Sequence, residues 1–225
     1  MTQQITALVT GANRGLGRQF ATELLSRGAT VYAAARRPET IDLPGVEPIQ
    51  LDITDPESVR RAAAIAGDVT VLINNAGVST EADLLSGPME DIRLEMDTHY
   101  FGTLNVTREF VPIIEKNGGG SVLNVLSVLA WYHAPSFGAY SAAKAAGWAM
   151  TDALRTQLAP KGIHVASLHV GYMDTEMASF VPADQKINPA VVAKLAVDGL
   201  LSGQAEILAD DLTKQVKAGL ATANG

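Results

Sequence analysis

Ile5-Thr6-Ala7-Leu8-Val9-Thr10-Gly11-Ala12-Asn13-Arg14-Gly15-Leu16-Gly17 is the stretch on which the reading of this chain turns. An apolar run ends in a turn carrying three glycines, and residues 18–26 then follow a helical pattern. Glycines let a backbone turn tightly, approach a phosphate closely and pack a helix against its strand. The start of that helix offers unpaired N–H groups and the positive end of its dipole. Between a first strand and a first helix, the turn reads as a phosphate-binding loop, with Gly11, Asn13, Arg14, Gly15, Leu16 and Gly17 as candidate contacts.

Outward from this turn the same alternation continues. Segments 30–34, 47–51, 69–74, 121–126, 164–169 and 206–209 are short and nearly continuous in hydrophobicity, as strands buried on both faces are. Segments 56–66, 89–114, 141–158 and 189–201 carry helical patterns, with room for breaks in 89–114. Asp55-Pro56 and Asn188-Pro189 read as N-caps followed by a proline in the first turn. Such alternation implies βαβ crossovers, and so an α/β, doubly wound parallel sheet of about seven strands with helices on both faces. The link from Arg36 to Val46 is near the shortest crossover a parallel pair allows, and Pro38 and Pro44 limit it to a loop or single turn.

At 225 residues, a single domain covering 1–225 is expected. The chain is 47% hydrophobic and 18% charged, which excludes intrinsic disorder. Lys+Arg 17 against Asp+Glu 24 gives a formal charge of -7, so neither nucleic acid nor an anionic membrane surface is an expected partner. The absence of cysteine removes disulfide scaffolds and thiol chemistry, and the four histidines show no metal-ligand spacing, so no metal is expected. No apolar run approaches the roughly 20 residues that span a bilayer. The opening residues lack the basic and apolar regions of a secretory leader, and a cytoplasmic, soluble chain is expected.

At the end of the second strand Ala35 stands where an acidic residue would hold the adenosine ribose, and Arg36 and Arg37 follow it. A guanidinium pair suits a 2′-phosphate dianion, with Arg14 in reach from the glycine turn. This favours NADP(H) over NAD(H); two solvated surface arginines are the alternative.

Further on come Asn74-Asn75-Ala76-Gly77 after the fourth strand, Ser127 at the end of the fifth, and Tyr140-x-x-x-Lys144. In this order, and with Thr10-Gly11-x-x-x-Gly15-x-Gly17 before them, these motifs resemble the short-chain dehydrogenase/reductases over essentially the whole chain. The resemblance implies a Rossmann-type sheet, a nicotinamide cofactor and reversible hydride transfer to a carbonyl. It also implies adenine contacts from Asp52 and Ile53, cofactor contacts from Asn74, Asn75, Ala76 and Gly77, and a nicotinamide-flanking segment with Gly171, Met173 and Thr175. Part of the Asn-Asn-Ala-Gly role is expected to be structural, because buried amides satisfy neighbouring backbones.

Tyr140 and Lys144 share one helix face at a spacing of four. A phenol titrates near about 10, and a fixed ammonium beside it should lower that value. Tyr140 is therefore the expected general acid in reduction and base in oxidation, with Lys144 tuning it and holding the nicotinamide ribose. Ser127, at the carboxyl end of its strand, is expected to orient the substrate carbonyl. The family's usual catalytic Asn, three residues before a glycine, is His99 here, and Val170 replaces the usual Pro before Gly171. Two readings of His99 stand open: a proton-relaying imidazole, or a structural residue with weak or lost turnover.

Segments 129–137 and 172–182 are expected to rim an apolar pocket with Trp131, Tyr132, His133, Phe137, Met173, Met177 and Phe180, and 172–189 to act as a lid. The expected substrate is a hydrophobic aldehyde or ketone, or the corresponding alcohol. Helices near Met89 and Ser141 carry apolar surface, and the resemblance implies a homodimer or homotetramer through this pair. Leu212, Val216 and Leu220 form a stripe near the C-terminus, and 221–225 are expected to fray. An NADP(H)-binding sensor or scaffold remains the rival to the reductase, and an isomerase or dehydratase is a third reading.

Overall fold

The structure, a computed structural model, describes residues 4–222. Its seven strands are β1 (Thr6–Thr10), β2 (Thr30–Ala35), β3 (Glu47–Gln50), β4 (Val71–Asn74), β5 (Gly120–Val125), β6 (Ile163–His169) and β7 (Glu206–Leu208). They form one sheet in the order β3-β2-β1-β4-β5-β6-β7, every pair parallel. Successive side chains of a strand point to opposite faces, and here both faces are covered. Ala7 and Val9 of β1 join a core with Phe20, Leu24, Val192 and Ala196 on one side. Leu8, between them, points into the other core with Val59, Phe110, Ile114 and Leu158.

The helices that supply those layers are α1 (Gly15–Ser26) and α6 (Pro189–Leu201) on the first face, and α2 (Pro56–Ile65), α4 (Thr103–Lys116) and α5 (Gly138–Leu158) on the second. Both predicted caps form: Asp55 accepts from Glu57 N–H and Asn188 from Ala190 N–H, each with a proline next in the chain. The short β2–β3 link holds a single 3-10 turn, Pro38–Thr40, as its length required. The long helical pattern of 89–114 is broken. α3 (Met89–Met96) passes into a π-helical stretch, Asp97–Gly102, before α4 begins. Such wide turns recur at functional sites.

The last helix, α7 (Asp211–Thr222), carries the stripe of Leu212, Val216 and Leu220. Leu212 is exposed, whereas Thr213 is buried. Lys217 lies half-buried with its Nζ 4.5 Å from the Trp131 ring centre and 5.3 Å from that of Trp148. Glu206 of β7 accepts from Lys217 and from the Trp148 indole. A cation is thus held between indoles and a carboxylate, while Val216 and Leu220 of the stripe are partly buried. Residues 223–225 lie outside the described residues. Among the described residues no helix is long and apolar enough to cross a membrane.

Candidate active site

β1 and β4 are sheet neighbours although the chain leaves β1 in the opposite direction, towards β2. Open α/β sheets bind ligands in the crevice such a reversal opens at the carboxyl ends of the strands. The glycine turn sits there. Gly11 and Gly15 have φ of +66° and +54°, which side chains disfavour. A Cβ on Gly17 would meet the Gly11 carbonyl and come within 2.6 Å of Asn75 Nδ2. The α1 N-terminus has no side-chain cap and no acidic residue in its first turn, so its N–H groups remain available to an anion. Bare glycine backbone and an uncapped helix start fit the pyrophosphate of a dinucleotide.

The segment after β4 is strapped to this turn. Thr10 Oγ1 accepts from the N–H groups of Asn75 and Ala76, both at 2.9 Å, and Asn75 Nδ2 donates to the Thr10 carbonyl at 2.9 Å. Asn74 does not line the adenosine side. It is buried and donates to Thr107 Oγ1 and Asn124 Oδ1, while Asn124 donates to Thr151 Oγ1, so these amides tie β4 and β5 to α4 and α5.

At the adenosine end Arg36 and Arg37 are exposed and, among the described residues, without an ion pair. Asn13 Nδ2 donates to Thr40 Oγ1, which donates to the Arg37 carbonyl, linking the glycine turn to the arginine turn. Arg14 goes elsewhere than expected: it pairs with Glu176, beyond β6. Asp52 accepts from the Thr54 N–H and hydroxyl, and Ile53 is buried behind it.

Ser127, Tyr140 and Lys144 converge at the end of β5. Ser127 Oγ accepts from Leu129 N–H and is near enough to the Tyr140 phenol to lower its pKa by hydrogen bonding. Lys144 Nζ donates to the Val125 carbonyl at 2.9 Å and lies 5.4 Å from the Tyr140 ring centre. The expectation that Lys144 depresses the phenol is corrected here. Burial holds Tyr140 well above its ordinary value, and the charge of Glu95 adds to the rise. Burial also pushes Lys144 down to about 8, with Glu95 opposing.

Glu95 is the residue sequence reasoning missed. Fully buried on α3, it accepts from the N–H and hydroxyl of Thr80 through Oε1. Its Oε2 lies 3.2 Å from His99 Nε2, which also lies 2.8 Å from the Val78 carbonyl. His99 is buried in the π-helical stretch, edge-on to the Tyr140 ring with centres 5.1 Å apart. Burial first, then Lys144, holds the His99 pKa below its ordinary value, with Glu95 and Val78 opposing. The available signal was the spacing of four between Glu95 and His99.

Over the cleft runs the segment after β6. Gly171 N–H donates to Asp210, and Met173 bridges to Ile187. Thr175 comes next to Gly15, where its methyl carbon would stand 3.5 Å from an added Cβ. Phe180 stacks on Phe137 and meets Tyr172 edge-on; Tyr132, Tyr172, Met177 and Phe180 are exposed. Trp131 is not part of this rim. It is buried, stacked at 3.8 Å on His169, whose Nδ1 faces the Ser127 carbonyl at 3.3 Å.

The sequence profile of the short chain dehydrogenases matches residues 5–186. A 3-oxoacyl-[acyl-carrier-protein] reductase of Thermotoga maritima is 34% identical over 188 residues, 78% of this chain and 76% of that one. A Drosophila melanogaster dehydrogenase/reductase SDR family protein 7-like is 33% identical over 76% of this chain; the match spans 58% of that protein's length. A short chain dehydrogenase from Burkholderia cenocepacia, solved in complex with NADP, superposes with a TM-score of 0.93 at 41% identity, covering 97% of this chain and 93% of that one. Profile, relatives and sheet order agree: this chain belongs to the short-chain dehydrogenase/reductase family of oxidoreductases.

Proposed function

We propose that the protein is an NADPH-dependent reductase of hydrophobic aldehydes and ketones, working in reverse on the corresponding alcohols. The observation that carries this reading is the convergence of Ser127, Tyr140 and Lys144 at the end of β5, on the sheet edge that also holds the glycine turn. Bound nicotinamide supplies or takes the hydride. Ser127 donates to the substrate oxygen and holds it near Tyr140. Tyr140, kept fully protonated by burial, gives its proton to the oxygen as negative charge develops there. Lys144 holds the nicotinamide ribose, and the Ser127 hydroxyl is the group that eases ionisation of the phenol.

NADPH is preferred because Arg36 and Arg37 remain available to a 2′-phosphate, and the similar Burkholderia protein was solved with NADP. Gly171, Met173 and Thr175 flank the nicotinamide, and residues 172–189 close over it. Tyr172, Met177 and Phe180 make that cover apolar, which suits a substrate with aromatic or aliphatic bulk. Exposed Met89, Leu94 and Phe101 support a homodimer or homotetramer, which light scattering reads directly.

The test is a panel of aldehydes and ketones offered with each cofactor, following loss of reduced-nicotinamide absorbance. The expected result is consumption of NADPH with at least one apolar carbonyl compound, faster than of NADH. Tight NADPH binding with no consumption across the panel would support the binding-protein reading instead.

A further inference from the structure

His99 Nε2 faces the Val78 carbonyl at 2.8 Å and Glu95 Oε2 at 3.2 Å. The Val78 carbonyl can only accept, so Nε2 carries the ring's hydrogen and Nδ1 is left as the acceptor of the neutral imidazole. Glu95 in turn accepts from the N–H and hydroxyl of Thr80 at Oε1, and its Oε2 is turned to the edge of the imidazole that carries the hydrogen. A carboxylate oxygen can face that N–H, whereas a glutamine amide accepting from Thr80 would set its NH2 donor against it. Val78 holds the better-placed share of the imidazole hydrogen. Oε2 has no full hydrogen bond of its own among the described residues, although it is buried. An uncompensated oxygen in that position costs free energy unless a positive charge comes to it.

We propose that Glu95 is a positioning residue for proton supply: it fixes His99 with its hydrogen on Nε2 and compensates the imidazolium formed when Nδ1 takes up a proton. This rests on the reductase reading above. After Tyr140 has given its proton to the substrate oxygen, the phenolate must regain one. Nδ1 accepts a proton from solvent, His99 becomes cationic beside the carboxylate, and Nδ1 releases that proton towards Tyr140, restoring both rings. A buried carboxylate that fixes an imidazole tautomer and stabilises its cation does comparable work elsewhere in acid–base catalysis. The charged and titratable groups around His99 are Glu95 from α3, and Lys144 and Tyr140 from α5. Close approach of the ring to the backbone explains Gly77, where a Cβ would stand 2.7 Å from His99 Cε1.

The experiment is nitrogen-15 NMR of histidine-labelled protein without cofactor, with His99 assigned through His99→Asn. The wild type should show His99 as the neutral Nε2–H tautomer at neutral pH. In Glu95→Gln its protonation midpoint should fall by about one pH unit or more, because an opposing charge has been removed. The acid limb of kcat should move in the same sense, with kcat lowered about tenfold and the KM for NADPH little changed. An Nδ1–H tautomer in the wild type overturns the proposal, and needs no Glu95 variant to be seen. So does an unchanged midpoint in Glu95→Gln. Because the spectra require neither cofactor nor substrate, a protein inert to every carbonyl compound would sink the reductase reading without altering this result.

Discussion

Arg36 and Arg37 follow β2 with no acidic residue between them and the strand, and the structure leaves both guanidinium groups exposed. A 2′-phosphate brings about two negative charges to that turn, whereas the NADH ribose brings none. Arg36→Ala should therefore raise the Kd for NADPH about tenfold or more while that for NADH moves less than about twofold, a single charge-assisted contact at a partly exposed site being involved. Titration of cofactor fluorescence reads both; equal weakening would show the pair recognises something other than the phosphate. At this scale Ser127, Tyr140, Lys144 and the glycines were legible because each is a residue type with few alternatives at a strand or helix boundary. Glu95 was not. A glutamate on a helix ordinarily reads as a solvated face, and the spacing of four that pairs it with His99 does not say that this face is buried.

Elements tell a similar story with a different failure. All seven strands were readable from their hydrophobic runs, with ends within two residues of those observed. The break in 89–114 was foreseen, but not its character, since a π turn leaves no mark in composition. α7 adds an electrostatic contact that its apolar stripe does not announce: Lys217 lies against Trp131, which stacks on His169 of β6. Burial holds His169 at about 4, well below the ordinary 6.5. Between those values the unfolded chain binds a proton that the folded chain refuses, so this group costs stability as pH falls from 6.5 towards 4 and has no effect above that window. The full effect is on the order of 3 kcal/mol. His169→Phe keeps a ring against Trp131 and removes the titration, and the Ser127 carbonyl retains Ala130 N–H as a donor. Urea unfolding midpoints should fall less steeply through that window in the variant than in the wild type. Parallel curves would assign the acid sensitivity to other groups.

For the whole molecule, the sheet order brings to one edge what the sequence holds far apart: the glycine turn after β1, the strapped segment after β4, Ser127 after β5 and the apolar cover after β6. A strand–helix alternation suffices to predict that gathering, because parallel strands put all their carboxyl ends on the same side. It does not predict which substrate enters, since the cover is shaped by side chains on irregular backbone. The central claim is that Tyr140 delivers the proton during hydride transfer, and removing its hydroxyl oxygen tests this without disturbing the fold around the ring. NADPH oxidation should be compared between wild type and Tyr140→Phe on the carbonyl compound the wild type turns over fastest, with NADPH affinity measured alongside. The expected result is a fall in kcat of about a hundredfold or more with affinity changed little. Turnover by Tyr140→Phe at the wild-type rate would contradict the account.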